Sequence, residues 1–135
     1  MPTNERDYSH RSLIDKLGIK PEHRVCLRST TDANFVRLVR ASVDTPPSVT
    51  ARGRYDIIIL EVNRPQDLTH IAGLAQHLVP NGGLWILHPK GKGANPHDAQ
   101  VRAAGLAAGL VDNKICGYSA SHTATRFVIP VARRS

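Results

Sequence analysis

The stretch Tyr55-Asp56-Ile57-Ile58-Ile59-Leu60-Glu61-Val62 decides the fold. Its four central aliphatics are consecutive. A strand with one face in water alternates apolar and polar residues, whereas an unbroken run marks a strand covered on both faces. Helices must then lie on both sides of the sheet that contains it.

The flanking sequence supplies those helices. Upstream, Arg24 to Arg28 reads as a strand centred on Val25, Cys26 and Leu27, entered through Pro21-Glu22-His23. Before it, Leu13, Ile14 and Leu17 share one face of a short helix, with Ser12 and Asp15 as a capping-box pair and Gly18 as its stop. Thr31 or Asp32 caps a second helix whose Phe35, Val36, Leu38 and Val39 form a buried face. Pro46-Pro47 closes that unit, and Ser48 to Ala51 reads as a short edge strand.

Downstream, Pro65 opens a helix with the stripe Leu68, Ile71, Leu74, Ala75 and Leu78. Pro80-Asn81-Gly82-Gly83 ends it and starts a buried strand, Leu84 to Leu87. Asn95-Pro96 opens a further helix with Val101, Ala104, Gly105 and Ala108 on one side, stopped by Gly109. The strands Lys114 to Tyr118 and Thr125 to Val131 have too short a link for a parallel crossover, so they pair antiparallel. Pro130 cannot donate to a ladder, and the last strand frays there. The expected architecture is a three-layer α/β/α sandwich, mostly parallel and ending in an antiparallel hairpin, over residues 12–135 after a polar arm at 1–11.

Totals narrow the function classes. A chain of 135 residues is one domain's worth and buries about two-thirds of its unfolded surface, so it needs no metal or disulfide to fold. Cys26 and Cys116 sit in apolar stretches and read as buried reduced thiols. Without a Cys-x-x-Cys or His-Glu-x-x-His pattern, no metal site is expected. No apolar run approaches the ~20 residues of a membrane span, and the start carries no secretion signal, so the expected address is the cytoplasm. The net charge of +7 favours an anionic partner. That charge is spread along the chain, densest at Arg52-Gly53-Arg54 and Lys90-Gly91-Lys92. A nucleic-acid role rests on charge alone, because aromatic residues make up only 4% and Trp85, Tyr55 and Phe127 sit in core patterns.

Two resemblances follow from these residues. Tyr55 to Leu60, then Leu78-Val79-Pro80-Asn81-Gly82-Gly83-Leu84-Trp85-Ile86 and the terminal hairpin, resemble the later strands of class I methyltransferases, which implies a Rossmann-like fold. Leu17-Gly18-Ile19-Lys20-Pro21, Leu84-Trp85-Ile86 with Pro89-Lys90, and Gly109-Leu110-Val111-Asp112-Asn113-Lys114-Ile115-Cys116 resemble a bacterial family of small Rossmann-like proteins labelled only as a domain of unknown function. In that family the loop after the cysteine strand often carries an aspartate and a tryptophan. Ser119 and His122 take those places here.

A ligand of an open parallel sheet binds beyond the carboxyl ends of its strands. Those ends point to Ser29, Thr30, Thr31, Asn63, His88, Lys90, Lys92 and His122 as anion-binding residues. The helix starting beyond Lys92 adds a positive end to that set. The loop Arg28-Ser29-Thr30-Thr31-Asp32-Ala33-Asn34 has no glycine, and no acidic residue stands where a ribose would be gripped, Asp44 lying beside two prolines. The residues therefore favour binding over catalysis, with no catalytic residue and no cofactor assigned. Glu61 reads as a general base or, preferably, as a capping or ion-pairing residue. His70, His77 and His97 read as surface residues.

The expected function is a binding or regulatory domain for a small anionic ligand or a protein partner. The alternatives are a degenerate S-adenosylmethionine-dependent methyltransferase and a basic nucleic-acid-associated protein. A bare sheet edge next to Arg24–Arg28 further suggests a homodimer.

Overall fold

Ile57 and Ile59 point to one face of strand β2 (Tyr55–Glu61), while Ile58 and Leu60 point to the other. All four are buried, which is why the run is unbroken. The computed structural model describes residues 13–134. The proposed arm and the Ser12 cap lie outside them.

Five strands form one sheet in the order β1 (Val25–Arg28), β2, β3 (Leu78–Pro89), β5 (His122–Val128), β4 (Val111–Gly117). The first three are parallel neighbours; β5 inserts antiparallel between β3 and β4. Helix α1 (residues 13–17) and α2 (Ala33–Ser42) cover one face, burying Leu17, Phe35 and Val39 against Val25, Leu27 and Trp85. Helices α3 (His70–Ala75) and α4 (Asp98–Ala107) cover the other, with Ile71, Leu74 and Val101 against Ile58, Leu60 and Phe127. The three layers and the mixed sheet are as the sequence implied. No helix among the described residues is long and apolar enough to cross a membrane.

Several boundaries differ, each for a physical reason. The stripe ending at Leu78 overshoots: the helix stops at Ala75, and Leu78 already pairs with Tyr55 in β3. Pro80-Asn81-Gly82-Gly83 is therefore not a helix-ending turn but lies inside β3, where five residues of that strand, Val79 to Gly83, advance against two of β2. Gly82 serves close backbone approach, since a Cβ there would lie 2.9 Å from the Asp56 carbonyl oxygen. Beyond Pro96, α4 begins at Asp98, with the His97 N–H donating to Gln100 Oε1 at 3.0 Å. Strand β4 starts at Val111 and excludes Tyr118, and β5 spans His122–Val128 rather than reaching Val131. The stretch at Ser48–Ala51 contributes only a single parallel bridge, Ser48 to Cys26, at the outer edge of β1. Cys26 is buried as expected, whereas Cys116 is half-buried on the edge strand.

Tyr55 and Arg24 account for the basic cluster at 52–54. The Arg24 guanidinium lies over the Tyr55 ring at 4.4 Å and donates to the Arg52 and Arg54 carbonyls. That loop is thereby a structural clasp around the start of β2.

Helical glycines offer a direct test of the packing. A Cβ on Gly105 would run into the Phe127 ring, whereas Gly73 faces open space. Gly105→Ala should lower stability by about 1–3 kcal/mol, the strain exceeding its gain in helix propensity. Gly73→Ala should raise it by about 0.5–1 kcal/mol. Urea-unfolding midpoints measure both.

Candidate functional site at the carboxyl edge of the sheet

The carboxyl ends of β1, β2 and β3 open on one edge, and the start of antiparallel β5 joins them there. Glu61 ends β2 at the centre of this edge. Its carboxylate accepts from the Thr31 backbone N–H at 3.1 Å and from Thr31 Oγ1 at 2.9 Å. Asn63 Nδ2 donates to it at 2.8 Å. Asn63 Oδ1 faces His122 Nε2 at 2.7 Å, and His122 Nδ1 faces Ser121 Oγ at 2.8 Å. Asn63 thus donates with its amide nitrogen and accepts with its oxygen, so His122 carries its proton on Nε2 and accepts from Ser121.

Three of the residues expected to hold an anion, Thr31, Asn63 and His122, are therefore gathered around the protein's own carboxylate. Burial by itself would raise the pKa of Glu61, but the bonds from Asn63 and Thr31 outweigh it and hold the group below its ordinary value. A carboxylate so stabilised is a poor general base, and the bonding role is the one it has here.

A second carboxylate shapes the same edge. Asp32 caps α2, accepting from the Asn34 and Phe35 N–H groups at 3.0 and 3.2 Å. This occupies the helix end that would otherwise face an anion. Tyr118 donates to Asp32 Oδ2 at 3.4 Å and packs edge-on against Phe35. Burial, then the charges of Asp32 and Glu61, push the Tyr118 phenol far above its usual range.

Ser29 and Thr30 are drawn elsewhere. They line a separate cavity of about 430 Å³ on the outer side of β1, with Arg28 and Arg40 as its cations. Leu27, Val36, Pro47 and Val49 give it an apolar wall. Neither guanidinium has an ion-pair partner among the described residues. Ser29 takes a left-handed backbone conformation, φ 61°, which an L-residue adopts only at a cost. The turn that glycine usually makes after a first strand is thus made here by serine.

Lys90 and Lys92 are exposed on the loop between β3 and α4. His88 is not a loop residue at all. Its side chain is buried within β3, 1% exposed, with Nε2 at 2.8 Å from Thr125 Oγ1. Its Nδ1 has no hydrogen-bond partner among the described residues, the nearest carboxylate oxygen being Asp98 Oδ1 at 3.7 Å. Burial lowers the His88 pKa, and Asp98 offsets this only in part. The described residues hold no cluster of His, Cys, Asp and Glu suited to a metal ion.

Arg28 and Arg40 were missed by sequence reasoning. The available signal was the spacing of Val36 and Arg40, one helical turn apart and so on one face.

The depressed pKa values of His88 and Glu61 make stability pH-dependent, because the unfolded chain then binds more protons. The His88 share is complete above about pH 6.5 and is lost as pH falls below that value; the Glu61 share is lost below about pH 4.3. Urea unfolding across pH 3–8 should therefore show two declining stages on acidification. His88→Gln should flatten the first, and Glu61→Gln should reduce the second, to which Asp67, held below its ordinary value by the Asn63 and Arg64 N–H groups, also contributes.

No family model matches this chain, and no curated protein does. Solved structures do match. It is similar to CalO1, a methyltransferase in calicheamicin biosynthesis solved with S-adenosylhomocysteine bound, at TM-score 0.68 and 12% identity over 90% of this chain and 53% of that one. It is also similar to the magnesium protoporphyrin IX methyltransferase ChlM from Synechocystis PCC 6803 with bound S-adenosylmethionine, at TM-score 0.62 and 14% identity over 90% and 77%. A pericyclic reaction enzyme matches at TM-score 0.54 and 15% identity over 91% and 40%. The chain spans about half the length of CalO1. The strand order and these matches establish a methyltransferase-like Rossmann fold.

Proposed function

We propose that this chain is a non-catalytic binding domain on a methyltransferase-like fold, and that its ligand is a small organic anion held beside β1. The observation that carries this reading is the division of charge at the carboxyl edge. Glu61 and Asp32 place two hydrogen-bonded carboxylates at the crevice between β1 and β2. Arg28 and Arg40, by contrast, meet Ser29 and Thr30 in a cavity with an apolar wall. Two guanidinium groups and two hydroxyls recognise an oxyanion, while Leu27, Val36 and Pro47 accept an apolar portion. Lys90 and Lys92 remain candidates for a looser second contact.

One set of observations favours a second reading, binding of S-adenosylmethionine. Solved neighbours hold it or its demethylated product, Ser29 supplies the left-handed turn, and the acidic crevice suits a cationic sulfonium. Against it stand the missing ribose-gripping acid and the bonds that Thr31 and Asn63 already make to Glu61. Fold similarity of this degree leaves the chemistry open.

Calorimetric titration with a panel of small carboxylates and phosphate esters, beside S-adenosylmethionine and S-adenosylhomocysteine, separates the two. The expected result is saturable binding of a panel member, weakened by about tenfold or more in Arg28→Ala, Arg40→Ala. The Lys90→Ala, Lys92→Ala variant should change it less. Micromolar binding of S-adenosylmethionine with no response to the anion panel would overturn the proposal in favour of the methyltransferase reading.

A further inference from the structure

At the opposite end of the sheet lies a cavity of about 240 Å³ lined by Lys16, His23, Lys114 and Arg126, with Trp85 and Asp56 among its other walls. Its central cation occupies an inward position. Arg126 shares one face of β5 with Ala124 and Val128, both buried, and pairs in register with Trp85 on one side and Lys114 on the other. The guanidinium spreads across Gly83, where a Cβ would collide with it. Gly83 thus makes the room in which this cation lies.

Nothing among the described residues neutralises it. Arg126 has no ion pair and no hydrogen bond there. Burial, then the neighbouring Arg134, both work against its positive charge. A half-buried guanidinium without an anion is costly, and the usual remedies are a paired carboxylate or a bound oxyanion. The one carboxylate in the lining, Asp56, already accepts from the Arg24 N–H at 2.8 Å.

The surrounding groups are aimed by bonds of their own. Lys114 Nζ donates to the Lys16 carbonyl at 3.1 Å, and the Trp85 indole N–H donates to the Leu17 carbonyl at 2.9 Å. Both tie the end of α1 to the sheet and bring Lys16 to the cavity. His23 Nδ1 accepts from the Lys20 N–H at 3.0 Å, so the neutral ring carries its proton on Nε2 as a donor.

We propose that this cavity is a second ligand site, specific for a phosphate-sized dianion, free or carried as a phosphomonoester, with Arg126 and Lys114 as its principal contacts. The chemistry is that of a fork of guanidinium donors joined by an ammonium group, set against a tryptophan that excludes water from one side. It lies at the amino edge of the sheet and shares no lining residue with the cavity beside β1.

The single tryptophan of the chain stands in this wall, so its fluorescence reports occupancy directly. Inorganic phosphate and phenyl phosphate are titrated separately at constant ionic strength, with chloride as the control. The expected result is a saturable change in emission with one or both phosphates and none with chloride. A tighter ester assigns the site to phosphomonoesters; an equal or weaker one assigns it to free phosphate. Arg126→Gln and Lys114→Gln should each raise the apparent Kd by about tenfold. The Arg28→Ala, Arg40→Ala variant should leave it unchanged, which separates this site from the one beside β1. Circular dichroism establishes that each variant is folded, and if Arg126→Gln is not, the exposed Lys114→Gln decides. No saturable response in the wild type, or an undiminished one in the folded variants, would overturn the proposal.

Discussion

Strand β2 has no face that meets water, and the rest of the architecture answers to that constraint. Ile58 and Leu60 need α3 and α4 above them; Ile57 and Ile59 need α1 and α2 below. Helices α2 and α3 each cross from the end of one strand to the start of the next, which makes β1, β2 and β3 parallel. Parallel strands in turn collect their carboxyl ends on one edge, and Glu61 stands there because it closes the buried run. The position of the polar network is thus a consequence of where the apolar strand stops.

The two edges of the sheet handle charge in opposite ways. At the carboxyl edge the acids are satisfied internally, Glu61 by Thr31 and Asn63 and Asp32 by the first turn of α2. Those bonds order the loop after β1, hold Glu61 ionised, and leave the crevice with donors already in use. At the amino edge the cations converge without a carboxylate partner among the described residues. A net charge of +7 is therefore not an even coat. Among the described residues, cations without an ion pair line the cavities beside β1 and at Arg126.

His88 and Arg126 show how a polar residue in a strand acquires meaning from its neighbours. Both lie on interior strands, β3 and β5. His88 is accommodated by staying neutral beside Thr125, and Arg126 by the missing side chain of Gly83. The same glycine pair that reads locally as a turn works at long range, opening space under Asp56 and Arg126. Solved structures that match this fold at 11–15% identity share its overall layout, and layout alone leaves such local arrangements free to differ.

The layers, the parallel core and the closing hairpin were legible in the sequence, because they depend on local pattern: an unbroken aliphatic run, helical stripes, and a link too short for a crossover. Asp32 as a cap and Gly18 and Gly109 as stops belong to the same class of local chemistry. The end of the third helix was not legible, since Leu78 fits a helical stripe and a strand equally well and only its pairing with Tyr55 chooses. The grouping of the expected site residues was not legible: Thr31, Asn63 and His122 meet around Glu61, Ser29 and Thr30 line the cavity beside β1, and His88 is buried within β3. Whether Thr31 faces a ligand or Glu61, and whether Ser29 joins Lys90 or Arg40, depends on distances between strands far apart in the chain. Local propensity sets most of the helices, strands and turns; which charges meet, and which are left without a partner, is decided only when the sheet brings residues 30 to 100 positions apart within bonding distance.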